Sequence, residues 1–190
     1  ASGGEPTLQA GFVAKLFANL QSHGVHTALD TCGACQPDAL ERILPHTDLV
    51  LFDLKLINDE AHRLATGQGN QRILNNLLLV ADRIRSGKTA ARLWIRTPLI
   101  PEVTTGQENL SSINTFIHQN LNGLVERWEC CAFNNLCRDK YRRLGFQWEF
   151  AQTSLMTQTM LDECRTFAQD GLFDPQRIMI TGPTRTESLN

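Results

Sequence analysis

The sequence lacks any apolar run of membrane-spanning length. Its most apolar stretches, such as LLLVA and DLVLF, fall far short of the roughly 20 residues that a spanning helix needs. It also lacks an excess of charge of one sign, because 18 basic and 20 acidic residues give a formal net charge of −2. A nearly neutral chain has no general attraction to nucleic acid or to anionic membranes, and no secretory signal is visible. We therefore expect a cytoplasmic protein that binds neither nucleic acid nor membrane.

The cysteine pattern is not that of a small secreted domain held together by disulfides. Six cysteines are spread over 190 residues, with two of them adjacent at Cys130 and Cys131, whereas disulfide scaffolds are short and dense in cysteine. We expect reduced thiols. A metal site that uses the C-x2-C pair Cys32 and Cys35 is the alternative.

Helical and extended patterns alternate along the chain without a repeat or a linker, which predicts one domain over residues 1–190. The predicted helices cover residues 8–24, 37–44, 70–87, 106–121 and 154–171. The predicted strands cover residues 25–31, 47–56, 91–101, 123–133 and 177–182. Such alternation predicts an α/β fold with a parallel sheet and right-handed crossovers. A barrel or partial barrel fits best, and a doubly wound open sheet is the alternative.

Two details of this prediction depend on single residues. The first helix carries five apolar residues in phase, which predicts one apolar stripe made of Phe12, Val13, Leu16, Phe17 and Leu20. The third strand is expected to stop at its prolines, because proline cannot donate a hydrogen bond to a neighbouring strand.

Polar or charged residues end four predicted strands in a row. They are Asp30 with Thr31, Asp53 with Lys55, Arg96, and Asn134 with Asn135. The carboxyl ends of the strands are where a parallel barrel places its chemistry, so the series indicates a ligand site. Asp53 and Lys55 are two residues apart and share one face of the strand. A salt bridge between them, with no ligand, is the alternative.

The first residues of the chain raise a separate question. Gly3 and Gly4 allow a ligand to approach the backbone closely, but Glu5 stands where a phosphate-binding loop has Lys, Ser or Thr. An acid in this position suits a cation such as an ammonium group. The alternative is an ordinary turn before a helix.

Four stretches, SGGEP, LDTCG, LFDLK and LWIRTPLIP, follow one another in an order and spacing that resemble the radical S-adenosylmethionine enzymes. The similarity is greatest to the activating enzymes of glycyl-radical enzymes. It implies that residues 1–190 are the C-terminal part of a truncated, TIM-like partial (β/α)6 barrel. It also implies a [4Fe–4S] cluster held by a C-x3-C-x2-C motif, which this chain does not contain and which we expect upstream of it.

The resemblance implies a role for each candidate residue. Gly3, Gly4 and Glu5 would hold the ammonium group of S-adenosylmethionine. Asp30, Thr31 and Asp53 would lie near its carboxylate, where K⁺ or Na⁺ could bridge acid and carboxylate. The other implied contacts with cofactor or substrate are Lys55, Arg96 and Asn134.

Two residues depart from the family pattern. Asn134 stands where the family has histidine, and it cannot titrate near neutral pH. Glu102 occupies a turn that the family usually gives to glycine.

The function that the resemblance implies is that of an activase. The whole enzyme would use a 5′-deoxyadenosyl radical to take hydrogen from a backbone glycine of a partner glycyl-radical enzyme. Flavodoxin or ferredoxin would be the electron donor, and this chain alone would be inactive. Two alternatives are a radical reaction on a small molecule and a barrel remnant that only binds a ligand or partner.

Overall fold

A computed structural model describes residues 1–185 of the chain, and five strands alternate with seven α-helices in that range. The strands are β1 (Ala28–Thr31), β2 (Leu49–Asp53), β3 (Arg92–Leu99), β4 (Val125–Ala132) and β5 (Ile178–Thr181). The helices are α1 (Ala10–Ser22), α2 (Pro37–Ile43), α3 (Asp59–Thr66), α4 (Gln71–Arg85), α5 (Gln107–Asn120), α6 (Arg138–Arg143) and α7 (Gln158–Gln169). Short 3₁₀ helices cover Pro6–Gln9, Leu44–His46, Glu149–Gln152 and Pro175–Arg177.

The order of the strands decides between the two predicted architectures. All strand pairs are parallel, and the sheet runs β1-β2-β3-β4-β5, which is the order of the chain. Because parallel crossovers share one hand, a sheet that never reverses its order carries its crossover helices on one face. A doubly wound sheet needs such a reversal. The partial barrel is therefore confirmed, and the doubly wound alternative is wrong.

The two faces of the sheet differ in chemistry. The face under the helices is apolar, and its side chains Leu29, Phe52, Ile95 and Trp128 have no exposed surface. Successive residues of a strand point to opposite faces, so Asp30, next to Leu29, and Asp53, next to Phe52, lie on the other face. Asp53, Arg96 and Glu129 occupy one row across β2, β3 and β4. This half-buried inner face of the partial barrel positions the candidate site.

A single apolar cluster joins the helices to the sheet over the described residues. The prediction of one domain over residues 1–190 stays a prediction, and residues 186–190 lie outside the described residues. Among residues 1–185, no helix is both long enough and apolar enough to cross a bilayer.

The apolar stripe predicted on α1 is only partly buried. Val13 and Phe17 are almost completely covered, whereas Phe12 is 64% exposed and Leu16 is 38% exposed. The reason is the position of the helix, which precedes the edge strand β1 and packs against α2 on one side. The buried stripe is therefore narrower than the apolar pattern.

The predicted third strand, residues 91–101, included Pro98, and the structure confirms a strand that contains Pro98 and ends before Pro101. Strand β3 runs through Pro98 to Leu99. Its neighbour β2 ends at Asp53, opposite Arg96. Beyond Arg96, therefore, no residue of β2 needs a hydrogen bond from a backbone N–H of β3. A proline is tolerated where a ladder hydrogen bond is not required.

Two helices were not predicted. Helix α3 begins after Asn58, whose side chain accepts a hydrogen bond from the N–H of Ala61. Helix α6 lies in the basic stretch RDKYRR, for which no helix is predicted from the sequence. Glu102, which occupies the turn that the family usually gives to glycine, is the one non-glycine residue with a positive φ (64°) within residues 1–185.

Candidate functional site

A cavity of about 360 Å³ opens at the carboxyl ends of β1 and β2. We call it the strand-end cavity. It is lined by Ser2, Gly3, Gly4, Glu5, Asp30, Thr31, Cys32, Asp53 and Lys55. The structure thus brings together all the predicted site residues except Arg96 and Asn134, although they come from three separate stretches of the sequence.

The glycine loop forms one wall of the strand-end cavity. The backbone of Ala1 pairs with the edge of β1, because its amino group donates to Ala28 O (2.6 Å) and its carbonyl accepts from Asp30 N (3.0 Å). Gly3 and Gly4 then have φ of 83° and 45°, values that favour glycine. A Cβ on either would meet no atom within 4 Å. Glycine is therefore required here by conformation, and the space beside the loop is open.

Glu5 ties this loop to the end of β1. Its Oε1 accepts hydrogen bonds from Thr7 N (3.1 Å), Thr7 Oγ1 (2.7 Å) and Thr31 Oγ1 (2.8 Å). Its Oε2 accepts from the N–H (2.9 Å) and thiol (3.0 Å) of Cys32. Burial alone would raise the pKa of Glu5, but these hydrogen bonds outweigh it and hold the pKa below its ordinary value. The predicted contact of Glu5 with an ammonium group stays a prediction, since its oxygens already have five donors.

Arg96 contacts Asp30, which lines the strand-end cavity, and links it to a second acid, Glu129. Its Nη1 is 3.0 Å from Asp30 Oδ2, and its Nε is 3.5 Å from Glu129 Oε2. Within the described residues this buried Nε has no hydrogen-bond partner. Burial works to lower the pKa of Arg96, but Cys131, Asp30 and Asp53 raise it above its usual range. Arg96 therefore remains a cation that fixes Asp30.

Two residues that contact Asp30 or Arg96 were not identified from the sequence. Ser2 Oγ donates to Asp30 Oδ2 at 2.7 Å, and Glu129 pairs with Arg96 from the neighbouring strand. The available signal for Glu129 was its position in β4, where a charge interrupts an apolar strand on the same face as Cys131.

The acid and the lysine at the end of β2 pair with each other. Lys55 Nζ lies 3.0 Å from Asp53 Oδ2, and the two side chains are 28% and 26% exposed. The salt bridge that was the alternative to a ligand site therefore exists. It also lies on the wall of the strand-end cavity, so the pair remains open to a ligand.

Asn134 is not brought to the strand-end cavity. It follows β4, is exposed, and accepts a hydrogen bond from Leu136 N (3.2 Å) through Oδ1. Its assignment as a residue that contacts the cofactor or substrate stays a prediction, because it does not line the strand-end cavity.

Cys32 lines the strand-end cavity and Cys35 is buried in the loop that follows. Among residues 1–185, no group of three or more His, Cys, Asp or Glu side chains is arranged to hold a metal ion. Burial and the contact with Glu5 raise the pKa of Cys32 to about 11, and burial also raises the pKa of Cys35. A thiol ligates metals as the thiolate, so these environments do not favour ligation.

Comparison with known proteins gives named relatives. No family model matches the chain. The pyruvate formate-lyase-activating enzyme of Staphylococcus aureus strain USA300 is 36% identical over 154 residues, which are 78% of this chain and 58% of that enzyme. The enzyme of strain N315 matches to the same extent. The chain thus spans 58% of the length of these curated relatives.

Solved structures share the fold. A domain of pyruvate-formate lyase-activating enzyme from Bacteroides vulgatus has a TM-score of 0.72 at 20% identity, with 95% of this chain and 96% of that one covered. Streptococcus suis SuiB bound to S-adenosylmethionine has a TM-score of 0.63 at 13% identity, with 95% and 36% covered. At these identities the likeness shows the fold alone.

Proposed function

The chain belongs to the family of the pyruvate formate-lyase-activating enzymes, and from this premise we propose that it is the S-adenosylmethionine-binding part of a radical activase. The observation that carries the proposal is the strand-end cavity, where the glycine loop, Asp30 and the Asp53–Lys55 pair meet. In the whole protein the activase would generate a glycyl radical on a partner glycyl-radical enzyme, with flavodoxin or ferredoxin as electron donor.

The residues of the strand-end cavity fit the methionine end of S-adenosylmethionine. That end carries one ammonium and one carboxylate, and the cavity offers acids and a lysine within one small volume. Within the described residues, no hydrogen bond engages the backbone of Gly3 or Gly4, so the groups of this loop are available to a ligand. Lys55 would pair with the carboxylate, and the loop would receive the ammonium group.

Other residues hold these groups in place. Glu5 fixes the loop to β1, while Arg96 and Ser2 both hold Oδ2 of Asp30. Such preorganisation keeps binding groups within reach of their targets before the ligand arrives. A K⁺ or Na⁺ ion at Asp30, Thr31 and Asp53 would have to share both acids with their present partners, Arg96 and Lys55.

The cofactors supply the radical chemistry. S-adenosylmethionine, bound beside a [4Fe–4S] cluster held by cysteines that this chain does not contain, would be the source of the hydrogen-abstracting radical. The chain's own residues bind, orient and shield the cofactor. We infer that the chain alone is therefore inactive.

The proposal is tested in the full-length protein, reconstituted without oxygen. Lys55→Gln should weaken S-adenosylmethionine binding about tenfold, since a charge-assisted hydrogen bond contributes roughly 1.5–3 kcal/mol. Lys88→Gln, at an exposed lysine outside the cavity, is the matched control. Unchanged affinity in Lys55→Gln would overturn the binding assignment.

The activase reaction needs a second readout. Electron paramagnetic resonance should show a glycyl radical on the partner enzyme. Release of 5′-deoxyadenosine should be detected in the same reaction. Release of 5′-deoxyadenosine without a protein radical would instead favour the reaction on a small molecule, and no cleavage at all would favour a binding module.

A further inference from the structure

Lys55 lies in a loop that runs past the end of its strand. Strand β2 ends at Asp53. The next residue, Leu54, is still tied to β3, because its N–H donates to Arg96 O (2.8 Å) and its carbonyl accepts from Thr97 Oγ1 (2.7 Å). Lys55 lies beyond the register between the two strands. A backbone carbonyl that is partly buried still needs a donor, so the position of Lys55 depends on the group that supplies one.

The side chain of Asn109, the third residue of α5, supplies that donor. Its Nδ2 donates to Lys55 O (3.0 Å) and to Thr104 O (3.0 Å), and its Oδ1 accepts from Ile57 N (3.2 Å). Carbonyls can only accept and an N–H can only donate, so these three backbone groups fix which end of the amide is the nitrogen. Asn109 thus joins the loop that follows β2 to the loop that follows β3.

The backbone around Lys55 depends on this one side chain. Within residues 1–185, Asn109 is the one hydrogen-bond partner of Lys55 O and of Ile57 N. The ammonium of Lys55 lies at the far end of a flexible stem of four carbons, beside Asp53 on the wall of the strand-end cavity. A rotation of the backbone at the root of this stem would displace the ammonium further than the backbone itself.

We propose that Asn109 is a positioning residue for the cofactor. By holding the backbone of Lys55, it sets where the ammonium of that lysine meets the carboxylate of S-adenosylmethionine. Asn109 does not line the strand-end cavity, so its effect on the cofactor passes through Lys55. This inference rests on the proposed function for the identity of the ligand. The alternative is a hydrogen bond that supports the fold and leaves cofactor binding unchanged.

Asn114, on the same helix, is the matched control. It has no exposed surface, its Nδ2 donates to Ala168 O (2.8 Å), and its Oδ1 accepts from Phe173 N (2.9 Å). It therefore makes the same kind of contact with backbone groups, but at the end of α7 and not at the strand-end cavity. Asn114→Ala should lower the melting temperature and leave the affinity for S-adenosylmethionine unchanged.

The test is a double-mutant cycle in the full-length protein, reconstituted without oxygen. Calorimetry gives the affinity of S-adenosylmethionine for the unmodified protein, Asn109→Ala, Lys55→Gln and the double variant. Asn109→Ala should weaken binding about three- to tenfold and no more than Lys55→Gln does, because the charge-assisted hydrogen bond of Lys55 is all that it can disturb. In the Lys55→Gln background the same change should have no further effect, since two residues that act through one contact are not additive.

A second variant separates the hydrogen bonds of Asn109 from its bulk. Asn109→Leu keeps a side chain of similar size and removes all three bonds, so it should reproduce the loss of affinity. Helix α5 should form in both variants, because its buried residues Leu110, Ile113 and Ile117 are untouched, and a thermal melt of each variant checks this. Unchanged affinity in both variants overturns the proposal. A loss that persists undiminished in the Lys55→Gln background, or that Asn114→Ala reproduces, overturns it as well.

Failure of this inference is distinguishable from failure of the proposed function. An unmodified protein that does not bind S-adenosylmethionine, or a Lys55→Gln variant that binds it normally, would contradict the proposed function. Normal binding by the unmodified protein and weakened binding by Lys55→Gln, with no effect of Asn109→Ala, would contradict the role of Asn109 alone.

Discussion

At the scale of single residues, the ion pair between Asp53 and Lys55 allows a contribution to stability to be separated from a contribution to ligand binding. Both side chains are about one quarter exposed, so water screens the pair. An exposed pair contributes only about 0–1 kcal/mol, whereas breaking a fully buried one costs roughly 3–5 kcal/mol. We therefore expect Asp53→Asn to destabilise the ligand-free protein by about 1 kcal/mol, near the screened limit.

The same substitution should have a larger effect on ligand binding. Asp53→Asn should weaken S-adenosylmethionine binding and reduce the response of activity to K⁺ or Na⁺. Melting temperature and ligand affinity are measured side by side in the full-length protein. A large fall in melting temperature with unaltered affinity would remove Asp53 from the site.

Glu5 allows a prediction about pH. Its pKa in the folded protein is lower than its ordinary value of 4.5, so its contribution to stability is complete above the ordinary value. That contribution is lost as the pH falls through the folded-state pKa. Glu5→Gln should therefore cost about 1.5–3 kcal/mol at neutral pH, the range for hydrogen bonds to a charged group.

The pH dependence identifies the cause of that loss. Denaturant melts of the unmodified protein and Glu5→Gln should converge as the pH falls below the ordinary carboxylate range. A difference that stays constant across this range would mean that Glu5 acts by packing and that its charge is irrelevant to stability.

At the scale of elements, the turn after β1 depends on a single glycine. Gly33 has φ of 68°, and a Cβ there would overlap the ring of Phe52, which has no exposed surface. Gly33→Ala should therefore combine conformational strain with overpacking of the core and cost about 3 kcal/mol or more. Because Asp30, Thr31 and Cys32 precede this turn, ligand binding should also weaken.

A second glycine provides the control for Gly33. Gly24 has nearly the same φ, 70°, but a Cβ there would meet nothing within 4 Å. Gly24→Ala should show the strain alone, about 1 kcal/mol. Chemical denaturation of both variants gives the comparison, and equal losses would contradict the steric contribution of Phe52.

The elements found from the sequence are those with long, regular patterns. Helices α4 and α5 and strands β3 and β4 carry in-phase apolar residues over many positions, and the strict alternation predicted a parallel sheet. Helix α3 was missed because it buries only His62, which leaves almost no apolar period. The reason why β3 tolerates Pro98 is that its neighbour β2 ends at Asp53, which the sequence of β3 alone does not show.

The candidate site was predictable to a similar extent. Residues at strand ends, such as Asp30 and Asp53, converge because parallel strands end at the same edge of a sheet. Their partners were not predictable in this way. The pairing of Arg96 with Glu129 depends on the register between β3 and β4, and the five hydrogen bonds to Glu5 depend on how the loop folds back on β1.

At the scale of the whole molecule, the described residues supply groups for the cofactor but not the ligands for a cluster. It contains groups for the methionine end of the cofactor, but an activase also needs three thiolates for the cluster. The chain offers one C-x2-C pair, Cys32 and Cys35, with no third ligand arranged beside it in the described structure. The other cysteines are Cys130, Cys131, Cys137 and Cys164, all distant in sequence from that pair.

We therefore expect the 190-residue chain, expressed alone with iron and sulfide in the absence of oxygen, to hold no stoichiometric cluster and to cleave no S-adenosylmethionine. The raised pKa values of Cys32 and Cys35 support this, because each thiol would have to lose its proton to bind iron. The full-length protein, treated identically, is the control and should contain about four iron atoms per chain for a [4Fe–4S] cluster. Iron and sulfide analysis with electron paramagnetic resonance gives the measurement. A stoichiometric cluster on the chain alone would contradict the prediction, and a substitution of Cys32 or Cys35 that removes it would identify the pair as ligands.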